Sequence, residues 1–95
     1  FNGKDVHGVG FELYQNQPNP WTNRTRLGFH LPESSEAVLT VFDESGKVLY
    51  SRAETFARGY NAVVIDNSVL NVAGGLLFYK VETPTGSAVR RMIKL

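Results

Sequence analysis

The stretch Thr25-Arg26-Leu27-Gly28-Phe29-His30-Leu31-Pro32 decides how this chain folds. Thr25, Leu27, Phe29 and Leu31 recur at every second position, with Arg26, Gly28 and His30 between them. A period of two is that of a strand with one buried face, because successive Cβ atoms of an extended chain point to opposite sides of a sheet. Pro32 ends the run, since it has no N–H to give to a ladder.

Similar punctuation frames the rest of the chain. On the N-terminal side, Asn16-Gln17-Pro18-Asn19-Pro20 holds two prolines that forbid helix and central-strand pairing. That leaves Phe11 to Gln15 as a first short strand. Phe1 to Gly10, with three glycines and no repeating apolar pattern, reads as a linker or the tail of a preceding domain, and 11–95 as the domain proper. On the C-terminal side, Ala37 to Phe42 and Lys47 to Ala53 flank Asp43-Glu44-Ser45-Gly46, a hairpin connection in which Gly46 can take positive φ. Gly59 opens a strand from Tyr60 to Asp66, and Ser68 to Gly75 is a loop with room for one helical turn. Leu76 to Thr83 and Ala88 to Leu95 are joined by Pro84-Thr85-Gly86 as a terminal hairpin, with positive φ expected at Gly86 as well.

Seven short strands spaced by ~8–12 residues indicate an antiparallel sandwich or barrel. The expected core draws on Leu27, Phe29, Leu31, Leu39, Val41, Val64, Tyr79 and Val81. The last strand carries two competing apolar faces, Ala88/Met92 and Val89/Ile93/Leu95. Ninety-five residues suit one domain with one modest core, burying roughly 60–65 % of its unfolded surface. A hydrophobic content of 42 % excludes disorder, and no apolar run approaches the ~20 residues of a transmembrane segment. A formal net charge of +1 gives no global drive toward nucleic acid. The absence of cysteine excludes disulfides, thiolate metal sites and Cys nucleophiles. The chain begins at Phe1 without an initiator Met or signal peptide, and reads as a piece of a longer protein.

No catalytic constellation emerges. His7 and His30 stand apart, without cysteine or clustered carboxylates, which argues against a metal site. Asp43 and Glu44 are adjacent, but Asp at the start of a hairpin turn is explained by the turn itself. Ser45-Gly46 and Thr85-Gly86 lack the context of a nucleophile elbow, and Gly8-Val9-Gly10 lacks the strand-to-helix step of a phosphate cradle. Asn23-Arg24-Thr25 fits a glycosylation sequon at a strand entrance. No cofactor and no enzyme activity are expected. Trp21 reads as a core plug in preference to a sugar platform, while Tyr50 and Tyr60 keep a carbohydrate- or protein-binding accessory module as the alternative reading.

The order Leu13-Tyr14-Gln15-Asn16-Gln17-Pro18-Asn19-Pro20-Trp21, followed by Asn23, Thr25, Leu27, Phe29, Leu31 and Pro32, resembles the opening of the type A C-terminal sorting domains of type IX secretion in Bacteroidetes. Leu39 to Asp43 with Gly46 and Val48 is similar to that family's hairpin, and Gly59, Asn61, Val63 and Asp66 to its fifth strand. Ala73, Gly75, Phe78, Tyr79 and Val81 match a further block, and Gly86 with Arg90, Arg91, Met92, Ile93, Lys94 and Leu95 a basic-apolar closing strand. Trp21 replaces the usual Phe, Ile65 the common Trp and Leu77 the common Tyr. The immunoglobulin-like domain of flagellar hook-capping proteins is the nearest family of similar shape, and the closing strand favours the sorting domain.

The resemblance implies a seven-stranded antiparallel immunoglobulin-like β-sandwich acting as an export signal for a covalently linked upstream passenger. The passenger would cross the periplasm to the cell surface or medium, with the outer-membrane type IX machinery and a sortase-like cysteine peptidase as partners. In this reading Asn16, Pro18, Asn19, Pro20, Trp21, Gly46, Gly59 and Gly75 are structural. The closing strand is the candidate recognition surface, from Gly86 through Arg90, Arg91, Met92, Ile93 and Lys94 to Leu95. A terminal strand at a sheet edge would offer unpaired backbone groups, and its cations would add charge steering or simple edge protection.

Overall fold

The structure, a computed structural model, describes residues 5–6, 10–70 and 72–95. Its elements are β1 (Asp5–Val6), β2 (Glu12–Leu13), β3 (Arg24–Leu31), β4 (Ser35–Asp43), β5 (Val48–Phe56), β6 (Gly59–Asp66), β7 (Gly75–Thr83) and β8 (Gly86–Lys94). They form two antiparallel sheets of order β1-β2-β3-β6 and β5-β4-β7-β8. The seven strands read from the sequence are β2 to β8, and the two sheets pack as an immunoglobulin-like sandwich. β1 adds two residues against β2, in the segment read as a linker; most of that segment, His7 included, lies outside the described residues.

The alternation of β3 builds the inner face of the first sheet. Thr25, Leu27, Phe29 and Leu31 are buried, and opposite them on β6 stand Ile65 and Val63. The expectation for β6 is corrected here: Val64 is 54 % exposed, and Val63 and Ile65 are the core residues. Both faces of β6 are apolar, so its own pattern carries no parity. Pairing Val63 with Leu27 and Ile65 with Thr25 sets it, and a one-residue slip would reverse every side chain. The same logic resolves β8. Ala88 opposite Val81 and Met92 opposite Leu77 point inward, and Val89 and Ile93 point outward.

In the second sheet, Ala37, Leu39 and Val41 of β4 and Leu77, Tyr79 and Val81 of β7 are buried. β4 begins two residues earlier than its sequence reading and β5 runs on to Phe56, whose ring meets Phe29 edge-on at 5.0 Å and ties the two sheets together. β5 is an outer strand exposed from Ser51 to Thr55. Arg52 and Glu54 pair with each other there, in register with buried Leu39 and Ala37 of β4. Charges on the inward side of an outer strand discourage edge-to-edge association.

The turns follow local chemistry. Asp43 Oδ1 accepts the N–H groups of Ser45 (2.9 Å) and Lys47 (3.0 Å), and Gly46 takes φ +88°. Asp66 repeats the device, accepting Ser68 N–H at 2.9 Å, and Leu70 N–H donates to the Asp66 carbonyl at 2.9 Å. This single turn does not continue as a helix; it drops Leu70 into the core. Gly86 departs from expectation, because φ is not positive there. Thr83 shapes that turn instead, its Oγ1 accepting Gly86 N–H (3.1 Å) and donating to the Gly86 carbonyl (3.0 Å).

These turns give two tests. Gly46→Val should destabilise the domain by ~1–3 kcal/mol, since a β-branched side chain is strained at positive φ, whereas Gly86→Val should cost less. Denaturant melts of the two variants check this, and equal losses would contradict the assignment.

Hydrogen bonds from the Ser45 hydroxyl and Lys47 N–H hold the Asp43 carboxyl below its ordinary range, and Ser68 does the same for Asp66. A folded-state pKa below the unfolded value of ~3.9 stabilises above that value and is lost as pH falls through the folded one. The melting temperature of the wild-type chain should therefore fall further between about pH 5 and pH 2 than that of Asp43→Asn/Asp66→Asn.

Candidate functional site

The segment from Tyr14 to Trp21 leaves β2 and straps the side of the sandwich where β2 faces β8. Its prolines keep it out of both ladders, and the peptide bonds before Pro18 and Pro20 are cis. Its backbone groups must therefore find partners elsewhere. Tyr14 N–H donates to the Gly28 carbonyl at 2.9 Å, and Gln17 and Arg26 exchange both backbone hydrogen bonds at 3.0 and 2.8 Å. Asn16 is buried. Its N–H donates to the Tyr79 hydroxyl at 2.8 Å, and its Nδ2 donates to the Pro18 carbonyl and Thr25 Oγ1, each at 3.0 Å. The Thr25 hydroxyl donates in turn to the Pro18 carbonyl (2.8 Å), and the Tyr79 hydroxyl to the Tyr14 carbonyl (2.8 Å).

The far end of the strap grips β8. Asn19 Oδ1 accepts Ile93 N–H (2.9 Å), Trp21 N–H donates to the Ile93 carbonyl (3.0 Å), and Leu95 N–H donates to the Trp21 carbonyl (2.8 Å). Gln15 Nε2 donates to the Arg91 carbonyl at 2.8 Å. Trp21 is 1 % exposed and acts as the core plug; its Nε1 has no hydrogen-bond partner. Lys94 lies over its ring, Nζ 5.1 Å from the centroid and 3.5 Å from the Thr22 carbonyl. The loop after β6 closes the same corner. Asn67 Nδ2 donates to the Thr22 carbonyl, and a Cβ on Gly74 would stand 2.9 Å from the Lys94 carbonyl oxygen.

The closing strand is therefore not the open edge the sequence suggested. β8 does border its sheet, but backbone groups of Arg91, Ile93 and Leu95 are already engaged by the strap. The candidate recognition residues separate. Met92 and Lys94 are buried, Gly86 is half-buried, and Arg90 is half-buried with its Nε donating to the Leu13 carbonyl at 2.7 Å. Arg91, Ile93 and Leu95 face solvent, Leu95 at 68 %. Only these three can meet a partner without disturbing the fold.

Of the residues read as structural, Asn16, Pro18, Asn19, Pro20 and Trp21 come together in the strap. Gly46, Gly59 and Gly75 each take positive φ at a strand junction. Thr25 was legible as the first member of the buried face of β3, and Tyr79 as a core residue; their hydroxyls proved to be the ties. A polar group at a position whose alternation demands burial was the available signal, because such a group needs a partner. His30 Nδ1 donates to the Gly10 carbonyl at 2.8 Å. Among the described residues no three His, Asp or Glu side chains converge, and no helix is long and apolar enough to cross a membrane. No family model, curated protein or solved structure matches the chain.

The strap supplies a direct test. Tyr79→Phe removes the acceptor of the buried Asn16 N–H and should cost about 1–3 kcal/mol. If the strap moves as a unit, hydrogen exchange at Ile93 and Leu95 should speed up in the same variant. Unchanged protection there would separate the two ends of the strap.

Proposed function

We propose that this domain is an export address of the type IX secretion system, carried by an upstream passenger and read as a folded surface by the outer-membrane machinery. The passenger passes through the periplasm on its way to the surface or medium. The domain performs no chemistry itself; a sortase-like peptidase would act on it as a substrate.

The observation that supports this reading best is the clasp between the opening and closing blocks of the resemblance. Asn19 and Trp21 of the first hold Ile93 and Leu95 of the second. A signal that must be presented folded gains from such a lock, because its display then depends on the whole sandwich. Arg91, Ile93 and Leu95 form the exposed part of the address.

The test fuses residues 1–95 behind a reporter with its own signal peptide in a host that has the machinery. Secretion of the reporter is expected. Arg91→Gln/Ile93→Ser/Leu95→Ser should reduce it several-fold while the domain stays folded, since exposed substitutions usually move stability by only ~0.5 kcal/mol each. Substituting Arg90 and Lys94 would not test recognition, because both are tied into the fold. Periplasmic retention of the unaltered fusion, with the domain folded, would overturn the reading.

A further inference from the structure

The strap also walls a run of open depressions, and their lining is chemically uneven. The largest, about 850 Å³, lies between the strap and the outer face of β3, with Gln17, Asn19, Arg24 and Arg26 on its walls. A second continues past Gln17 and Arg26 to Tyr14 and Tyr60, and a third lies on the β8 side against Arg90 and Arg91. Gln15 borders all three. Four arginines line this run and no Asp or Glu does, in a chain whose charges nearly cancel. Arg24 has Asp66 opposite it in the ladder. Arg26 and Arg91 have no side-chain hydrogen bond or ion pair among the described residues.

We infer that this run is a binding groove for an acidic polysaccharide, with uronate carboxylates held by Arg26 and Arg91 and a sugar face resting on Tyr60. A planar guanidinium without a partner suits a carboxylate, which it can hold through two parallel hydrogen bonds. The amides of Gln15, Gln17 and Asn19 supply donors and acceptors of the kind hydroxyls need. Gln15 is fixed through Asn16 and the Arg91 carbonyl, and Asn19 through Ile93, so ordering these side chains costs little on binding.

Tyr60 is the element that favours sugar over an acidic peptide. Its side chain is laid across Gly28, where an added Cβ would stand 2.6 Å from the Tyr60 hydroxyl, and its ring lies 6.1 Å from that of Tyr14. The residue remains 59 % exposed. An exposed aromatic ring, held in place beside two amides and the unpaired Arg26, matches a ring of C–H groups flanked by hydroxyls and a carboxylate. The inference is independent of the export reading, and either can fail alone.

The test measures binding of the 95-residue chain to polygalacturonate, to its fully methyl-esterified form and to poly-L-glutamate by calorimetry. Polygalacturonate should bind at least tenfold tighter than the ester. Arg26→Gln and Arg91→Gln should each weaken it about tenfold, while Arg52→Gln, on β5 at the far border of the second sheet and outside the lining of all three depressions, should leave it unchanged. Tyr60→Ala and Gly28→Ala should weaken polygalacturonate binding and leave any poly-L-glutamate binding unaltered, with circular dichroism showing each variant folded. Equal affinity for the ester, or indifference to both arginine variants, would overturn the inference. Poly-L-glutamate binding as tight as polygalacturonate would also overturn it, in favour of an acidic protein partner.

Discussion

One hydroxyl group organises the side of this sandwich where the strap between β2 and β3 ties the two sheets together. Tyr79 rises from the middle of β7 into the core, and its Oη accepts the N–H of Asn16 and donates to the carbonyl of Tyr14. A segment with two prolines has too few donors to join a ladder and too many carbonyls to be buried unaided. Tyr79 satisfies its first residues, and Asn16 and Thr25 satisfy the Pro18 carbonyl. Everything beyond depends on that anchor: the seat of Trp21, the cover on Ile93 and Leu95, and the placement of Gln15, Gln17 and Asn19.

Such polar ties contribute through the cost of leaving them unmade. A buried amide without a partner loses its hydration and regains nothing, a penalty of about 1–3 kcal/mol, whereas the hydrogen bond itself contributes only ~1 kcal/mol net. The strap is thus held less by the strength of any contact than by the absence of a better arrangement for its backbone. Trp21 adds apolar burial at the far end, even with its Nε1 unpaired, because the ring area it removes from water outweighs one weak donor.

Much of the fold could be read from the chain, for reasons that differ by element. β3 was unambiguous because its apolar and polar residues separate cleanly. β6 and β8 were not, because Ala62/Val64 compete with Val63/Ile65, and Val89/Ile93 with Ala88/Met92; only pairing with β3 and β7 chooses between the faces. Leu70 was hidden in a loop, since its burial follows from the turn that Asp66 closes and not from any period. The site was legible as a motif but not as a geometry. Nothing local to Gln15, Arg26 or Tyr60 states that they share a surface, because they come from a strap and two strands brought together only by the register of β3 with β6 and the hydroxyl of Tyr79.

The two functional surfaces proposed here use opposite products of the same strap. Its outward wall sets the unpaired Arg26 beside a positioned tyrosine, with Arg91 on the β8 side. Its inward grip occupies the backbone at Arg91, Ile93 and Leu95, so strand addition along that stretch would require the strap to leave first. An incoming strand would have to replace the hydrogen bonds of Ile93 and Leu95 and also release Trp21 from the core. Exposing that ring is costly, at ~3–5 kcal/mol on the scale of losing a large buried aromatic. Along that stretch a partner that reads this domain intact is therefore confined to side chains, which on β8 and just past its end are those of Val89, Arg91, Ile93 and Leu95. Recognition by backbone pairing, which the sequence invited, would amount to partial unfolding.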